Sequence, residues 1–131
     1  MLHHVEVYVS DLQATIRFYD WLLVRELGYY EYQRWDSGIS YKSGETYIVF
    51  VQTGDEFLSA KYDRRRTGLN HLAFFACENG QLDRIKEYCQ IHDVTILYPE
   101  QYPNDHDERL FIQDPDGIKI ELVGSAKAGV M

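Results

Sequence analysis

His4 and His71 occupy one place in two stretches of similar shape. L-H-H-V-E-V-Y-V near the start and L-N-H-L-A-F-F-A from Leu69 superimpose with one histidine on the other. A third group of interest, Glu121, lies in G-I-K-I-E-L-V, where Ile118, Ile120 and Leu122 alternate onto an apolar face and leave Glu121 on the other. Two imidazoles and one carboxylate on one side of a divalent ion leave coordination positions open for water, substrate or dioxygen. Singly, each residue has a plainer reading, as a satisfied strand histidine or a solvated carboxylate. The matched repeat positions favour the metal site, provided both segments are strands bent around a common cleft. On the first segment Glu6 and Tyr8 share the face of His4. Glu6 is therefore the candidate general base or partner to the site, against the alternative of a solvated or structurally paired carboxylate. Tyr8, Tyr41, Tyr47 and Phe75 are candidates to line a cleft for an organic ligand, with core packing the stronger expectation for Phe75. His3 points to the opposite face and reads as incidental.

Such a site needs rigid elements to hold it. Leu2 to Val9 alternates with period two, as a strand does. Ser10 and Gln13 then form a capping-box signal ahead of a helix with Leu12, Ile16, Tyr19, Leu23 and Leu27 at helical spacing, ended by Gly28. Strand-like pieces follow at 29–34, 38–42 and 46–52, separated by D-S-G and K-S-G-E turn signals. After a polar linker, 53–68, with a possible helical turn at E-F-L-S-A-K-Y, the order repeats. A strand runs from Leu69 to Cys77 and a helix over N-G-Q-L-D-R-I-K-E-Y-C-Q-I-H, with Leu82, Ile85 and Cys89 inward. Strands follow at V-T-I-L-Y, R-L-F-I-Q and I-K-I-E-L-V, the last two joined by a D-P-D-G hairpin turn. The expectation is a single α+β domain of two βαβββ modules, about 1–52 and 69–124, as an internal duplication. The segment from Tyr98 to Glu108 reads as a mobile loop over one edge of the second sheet.

A chain of 131 residues with 45% hydrophobic and 26% charged residues suits one globular domain. Net charge −8 and a pI near 5.0 argue against nucleic acid and anionic membrane as partners, since phosphate binding runs on basic patches. The Arg64-Arg65-Arg66 cluster follows Asp63 and reads as solvated linker. No basic, apolar start resembles a signal peptide and no run is long enough to span a bilayer, so a cytoplasmic location is expected. Cys77 and Cys89 form neither a disulfide framework nor a metal clip and read as small buried apolar residues.

Taken together, H-H-V-E-V-Y-V-S-D-L-Q-A-T-I-R-F-Y-D-W-L-L, N-H-L-A-F-F and D-P-D-G-I-K-I-E-L-V resemble the vicinal oxygen chelate superfamily over essentially the whole chain. It includes glyoxalase I, fosfomycin-resistance proteins, extradiol dioxygenases, methylmalonyl-CoA epimerase and bleomycin-binding proteins. The resemblance implies two modules forming a U-shaped mixed sheet with helices outside, a homodimer, and a cleft whose divalent metal chelates adjacent oxygens of a small-molecule substrate. It places His4, His71 and Glu121 on three ligand positions and Val49 on the fourth, where no coordination is possible. The implied function is a metal-dependent lyase, isomerase or dioxygenase using Fe, Mn, Ni or Zn. The alternatives are a metal-free sequestering protein of bleomycin-resistance type and a subunit with a vestigial site. Three features depart from particular relatives. Tyr8 stands where glyoxalase I would have a glutathione-holding arginine, Phe111 where extradiol enzymes have a tyrosine, and the basic ending that clamps phosphonate is missing, with Arg109 or Lys119 as partial substitutes.

Overall fold

The computed structural model describes residues 1–104 and 106–124, and its chain divides into two compact units, Met1–Lys61 and Tyr62–Met131. In the first unit β1 (His4–Val9) leads to α1 (Leu12–Tyr19), which continues as a π-helical segment (Asp20–Glu26). Then come β2 (Tyr30–Trp35), β3 (Gly38–Ser43) and β4 (Thr46–Gln52). The second unit repeats this with β5 (His71–Phe75), α2 (Gln81–Ile91), β6 (Ile96–Leu97), β7 (Arg109–Gln113) and β8 (Lys119–Val123). The sheets run in the orders β1-β4-β3-β2 and β5-β8-β7-β6, each with one parallel pair, β1 with β4 and β5 with β8. The fold is α+β, built of two βαβββ modules, as the sequence led one to expect.

Alternation along the strands sorts each sheet into a covered and an open face. In the first unit Val7 and Val9 are buried with Ile39, Ile48 and Phe50, while His4, Glu6 and Tyr8 stand exposed. The covering helix is capped by Asp11, whose carboxylate accepts from Ala14 N at 3.2 Å; Ser10 is not the cap. Beyond Tyr19 the helix widens, with Leu27 N bonding Leu22 O, and three successive residues, Trp21, Leu22 and Leu23, are buried. A strict 3.6-residue spacing would not place them all inward. Gly28, at φ +78°, then ends the helix. Tyr41 belongs to this covered face. It is fully buried and its hydroxyl donates to Asp20 Oδ1 at 2.7 Å, so it lines no open cleft.

The second unit has an aliphatic core of Leu110, Ile112, Ile118, Ile120 and Leu122 against Ile85 and Cys89 of α2. Burial pushes the Cys89 thiol up to about 12. Cys77, expected inside, lies past the end of β5 and is exposed. In the hairpin turn Asp114 Oδ1 accepts from the backbone of Asp116 and Ile118, both at 2.9 Å, and Gly117 takes φ +86°. β6 keeps only Ile96–Leu97 of the expected V-T-I-L-Y strand. The following segment folds over the sheet face, with the Tyr98 and Tyr102 rings edge-on to Phe111 at 5.3 and 5.1 Å. Of the expected linker, Asp55–Phe57 forms a 3₁₀ turn, whereas the residues from Tyr62 onward belong to the second unit. Among the described residues no helix is long and apolar enough to cross a membrane.

Candidate functional site

In the second unit the open face carries His71, Ala73 and Phe75 from β5, Lys119 and Glu121 from β8, and Arg109 and Phe111 from β7, because paired residues share a face. Glu121 pairs with Ala73, one step along from His71, and the small alanine leaves the carboxylate room to lean toward the ring. His71 Nε2 lies 3.1 Å from Glu121 Oε1, and Arg109 Nη1 lies 3.4 Å from Glu121 Oε2. The Glu121 side chain is 11% exposed, so its charge sits in a partly desolvated place and is balanced by its neighbours. Arg109 Nε approaches Asp107 Oδ1 to 2.9 Å off the hydrogen-bond line, an ion pair without a bond. Lys119 reaches Tyr98 Oη at 3.4 Å over the aromatic cluster of Tyr98 and Phe111.

The other nitrogen of His71, Nδ1, lies 2.8 Å from Asn70 Oδ1. Both ring nitrogens therefore face oxygens that can only accept. That arrangement is satisfied by a proton on each nitrogen, or by a metal ion in place of one proton. Two donors sharing an ion at metal–ligand distances of about 2.0–2.2 Å stand roughly 3.0–3.4 Å apart. The Nε2 to Oε1 separation of 3.1 Å fits that requirement. His71 and Glu121 thus suit a divalent ion in ligand type and spacing.

The first unit presents a different surface. His4 stacks on Tyr47 with ring centroids 4.7 Å apart and planes 1° from parallel, because β1 and β4 pair these residues side by side. Tyr47 in turn meets Tyr32, and Lys42 Nζ sits 4.3 Å over the Tyr32 ring. Tyr8, Tyr30, Tyr32 and Trp35 are all exposed large aromatics. Trp35 lies flat over Gly38, where any Cβ would collide with the indole. Contrary to the sequence reading, His3 does not point away, since its Nδ1 is 2.8 Å from His4 Nδ1. Glu6 is exposed beside Val49 in the β1·β4 register, the position equivalent to Ala73 beside Glu121. Val49 is therefore the counterpart of Glu121, and the carboxylate of the first module stands on β1 instead of β4.

Of the sequence candidates, the structure brings His71 and Glu121 into contact. His4, Glu6 and Tyr8 share the open face of the first unit. Among the described residues no group of three or more His, Cys, Asp and Glu side chains is gathered about one point. Phe75 is 81% exposed, against the expectation of core packing.

The Glyoxalase/Bleomycin resistance protein/Dioxygenase superfamily model matches residues 1–122. The chain belongs to that superfamily. This glyoxalase-superfamily chain is 47% identical over 125 residues to the uncharacterised protein YqjT of Bacillus subtilis, covering 93% of this chain and 97% of that one. It is similar to the crystal structure of a candidate glyoxalase from Bacillus halodurans, with TM-score 0.90 and 44% identity over 95% of this chain and 96% of the other. The fosfomycin resistance protein FosX of Listeria monocytogenes shares the fold, with TM-score 0.68 and 17% identity over 94% and 89% of the two chains.

Sequence reasoning missed Asn70, His3 and the aromatic surface of Tyr30, Tyr32 and Trp35. The first two carried a readable signal, since each immediately precedes a matched histidine. The third lay in Y-Y-E-Y-Q-R-W, where a bulge at Glu31 to Gln33 breaks the alternation that assigns faces.

Proposed function

We propose that this glyoxalase-superfamily chain is a divalent-metal-dependent enzyme of lyase, isomerase or dioxygenase type. Its substrate is a small organic molecule with two adjacent oxygens, and His4, His71 and Glu121 are the protein ligands of the ion. The observation that carries the reading is His71, held between two acceptor oxygens at 2.8 and 3.1 Å, with Nε2 on the side of Glu121. When bound, Fe(II), Mn(II), Ni(II) or Zn(II) supplies Lewis acidity toward vicinal oxygens and stabilises negative charge that develops on them.

The chain's own residues do the rest. Glu6, two positions from His4 on one strand face and exposed, takes up or delivers a proton at its carboxylate. Tyr8 and Tyr47 offer aromatic surface against which an organic substrate packs. Arg109 holds Glu121 in place by its guanidinium, leaving Oε1 toward His71. Tyr8 carries no charge to hold a glutathione carboxylate, which disfavours glutathione adducts as substrates. The working form in this reading is a cytoplasmic homodimer.

The test is elemental analysis of tag-free protein, before and after reconstitution with each of the four ions. About one ion per chain is expected, lost in His71→Ala and in His4→Ala. Absence of stoichiometric metal after every reconstitution overturns the reading. A second reading, metal-free sequestration of an aromatic ligand, is favoured by two observations. Arg109 already faces Glu121 without an ion, and the first unit exposes a cluster of aromatic rings. It predicts saturable binding of aromatic ligands by protein stripped with chelator.

A further inference from the structure

A histidine gives one nitrogen to a metal while the other keeps the ring proton, so the partner of the second nitrogen selects the ligand atom. We propose that Asn70 is the positioning residue that makes this selection for His71: its amide is locked so that only oxygen faces the ring, and Nε2 becomes the atom offered to a cation beside Glu121. An amide's two ends are told apart by what they touch. Asn70 Nδ2 donates to the carbonyl of Arg64 at 3.0 Å, and a carbonyl can only accept. The amide nitrogen is thereby committed, and the oxygen is the end that meets His71 Nδ1 at 2.8 Å. When a cation takes the Nε2 lone pair beside Glu121 Oε1, the ring proton is on Nδ1 and is donated to Asn70.

The lock extends backward along the chain. Tyr62 donates its hydroxyl to the carbonyl of Leu69 at 2.6 Å and lies 3.3 Å from that of Asn70, fixing the backbone at the start of β5. Asp63 accepts from Arg65 N at 2.9 Å and from its guanidinium, closing the turn that presents the Arg64 carbonyl; this pairing holds the Asp63 carboxyl well below the usual carboxylate range. The segment 62–70 is thus a brace that orients the amide facing one ring, and Arg64 reaches the site through its backbone carbonyl.

As a statement about a ligand the inference rests on the metal reading; as a statement about the ring's tautomer it does not. The experiment has two arms on the full chain. Long-range proton–nitrogen correlation of the His71 ring in metal-free Glu121→Leu protein at alkaline pH, where no carboxylate competes for the ring proton, should give the Nδ1–H tautomer with Asn70 in place and with Asn70→Asp added, which keeps an acceptor. Asn70→Leu, which removes it, should shift the ring toward Nε2–H, the form favoured by free histidine in water. Titration with Zn(II) and Ni(II) should show affinity about 10- to 100-fold weaker in Asn70→Leu, the usual cost of losing such a partner, and close to the parent in Asn70→Asp. An Nε2–H ring in Glu121→Leu, or an added Asn70→Leu that leaves tautomer and affinity unchanged, overturns the proposal. A parent chain that binds no metal, with the expected tautomers in the Glu121→Leu variants, upholds the role of Asn70 and removes only the metal reading.

Discussion

His4 and His71 hold the same place in two copies of one module, yet their surroundings differ in kind. His71 lies among charges, with a mostly covered Glu121 on one nitrogen, a locked Asn70 on the other and Arg109 behind. His4 lies among rings, stacked on Tyr47 and touching His3, on a face where Tyr8, Tyr30, Tyr32 and Trp35 are exposed. The residue before each histidine contacts its Nδ1 at 2.8 Å in both modules. Asparagine oxygen can only accept, so Asn70 calls for a proton on Nδ1 of His71. Histidine can give or take, so His3 and His4 share a proton either way and neither tautomer is imposed. The two modules share their strand order and this contact, and differ in chemistry. The second module fixes charge, and the first provides adaptable surface.

The largest effect should come from Glu121→Leu, which removes the acceptor serving both His71 and Arg109. Metal affinity should fall at least about 100-fold, beyond the cost of losing an orienting partner alone, measured by competition with a chromophoric chelator. Undiminished affinity would mean the charged module is not the metal-holding one. Val49→Glu moves the first module toward the second by placing a carboxylate opposite Glu6, where β8 has Glu121 opposite Ala73. An added ligand should tighten metal binding about tenfold, roughly 1.4 kcal/mol. Because Val49 is only 6% exposed, some stability should be lost in the metal-free protein.

Tyr41→Phe tests the assignment of faces. It removes the hydrogen bond to Asp20 from the covered side and should cost about 1 kcal/mol in urea unfolding, with metal affinity unchanged. Burial and the Asp20 carboxylate raise the Tyr41 pKa, and burial raises that of Cys89 from 9.0 to about 12. Both groups are favoured in their neutral forms when folded. Their contribution is complete below pH 9.0 and is lost as pH rises toward 12, so unfolding midpoints should fall across that window. Cys89→Ala should flatten part of the decline. The smallest effect belongs to His3→Ala. Since His3 imposes no tautomer, metal affinity should change less than in Asn70→Leu; an equal loss would erase the contrast between the modules.

Much of this architecture was legible in the chain. Alternation fixed the faces of β1, β5 and β8 because a strand has no freedom to present successive side chains to one side, and D-P-D-G fixed the last hairpin because its turn needs those residues. The α+β class, the duplication and the shared positions of His4 and His71 followed from those periods. Local pattern failed where distant contacts decide. Tyr41 went to the covered face because the register of β3 against β4 pairs it with Ile48, and its hydroxyl found Asp20. Phe75 falls on the open face of β5 and Cys77 past its end, so side chains that look like core residues meet solvent.

The sequence by itself determined which residue types could hold a metal and which strands would carry them. Only the tertiary structure decided that Glu121 leans to Nε2 of His71, that the Arg64 carbonyl locks Asn70, and that His3 turns to His4. The physical reason is range. Strand alternation is written in neighbouring residues, whereas a hydrogen-bond partner is chosen by whatever distant backbone the fold brings within about 3 Å.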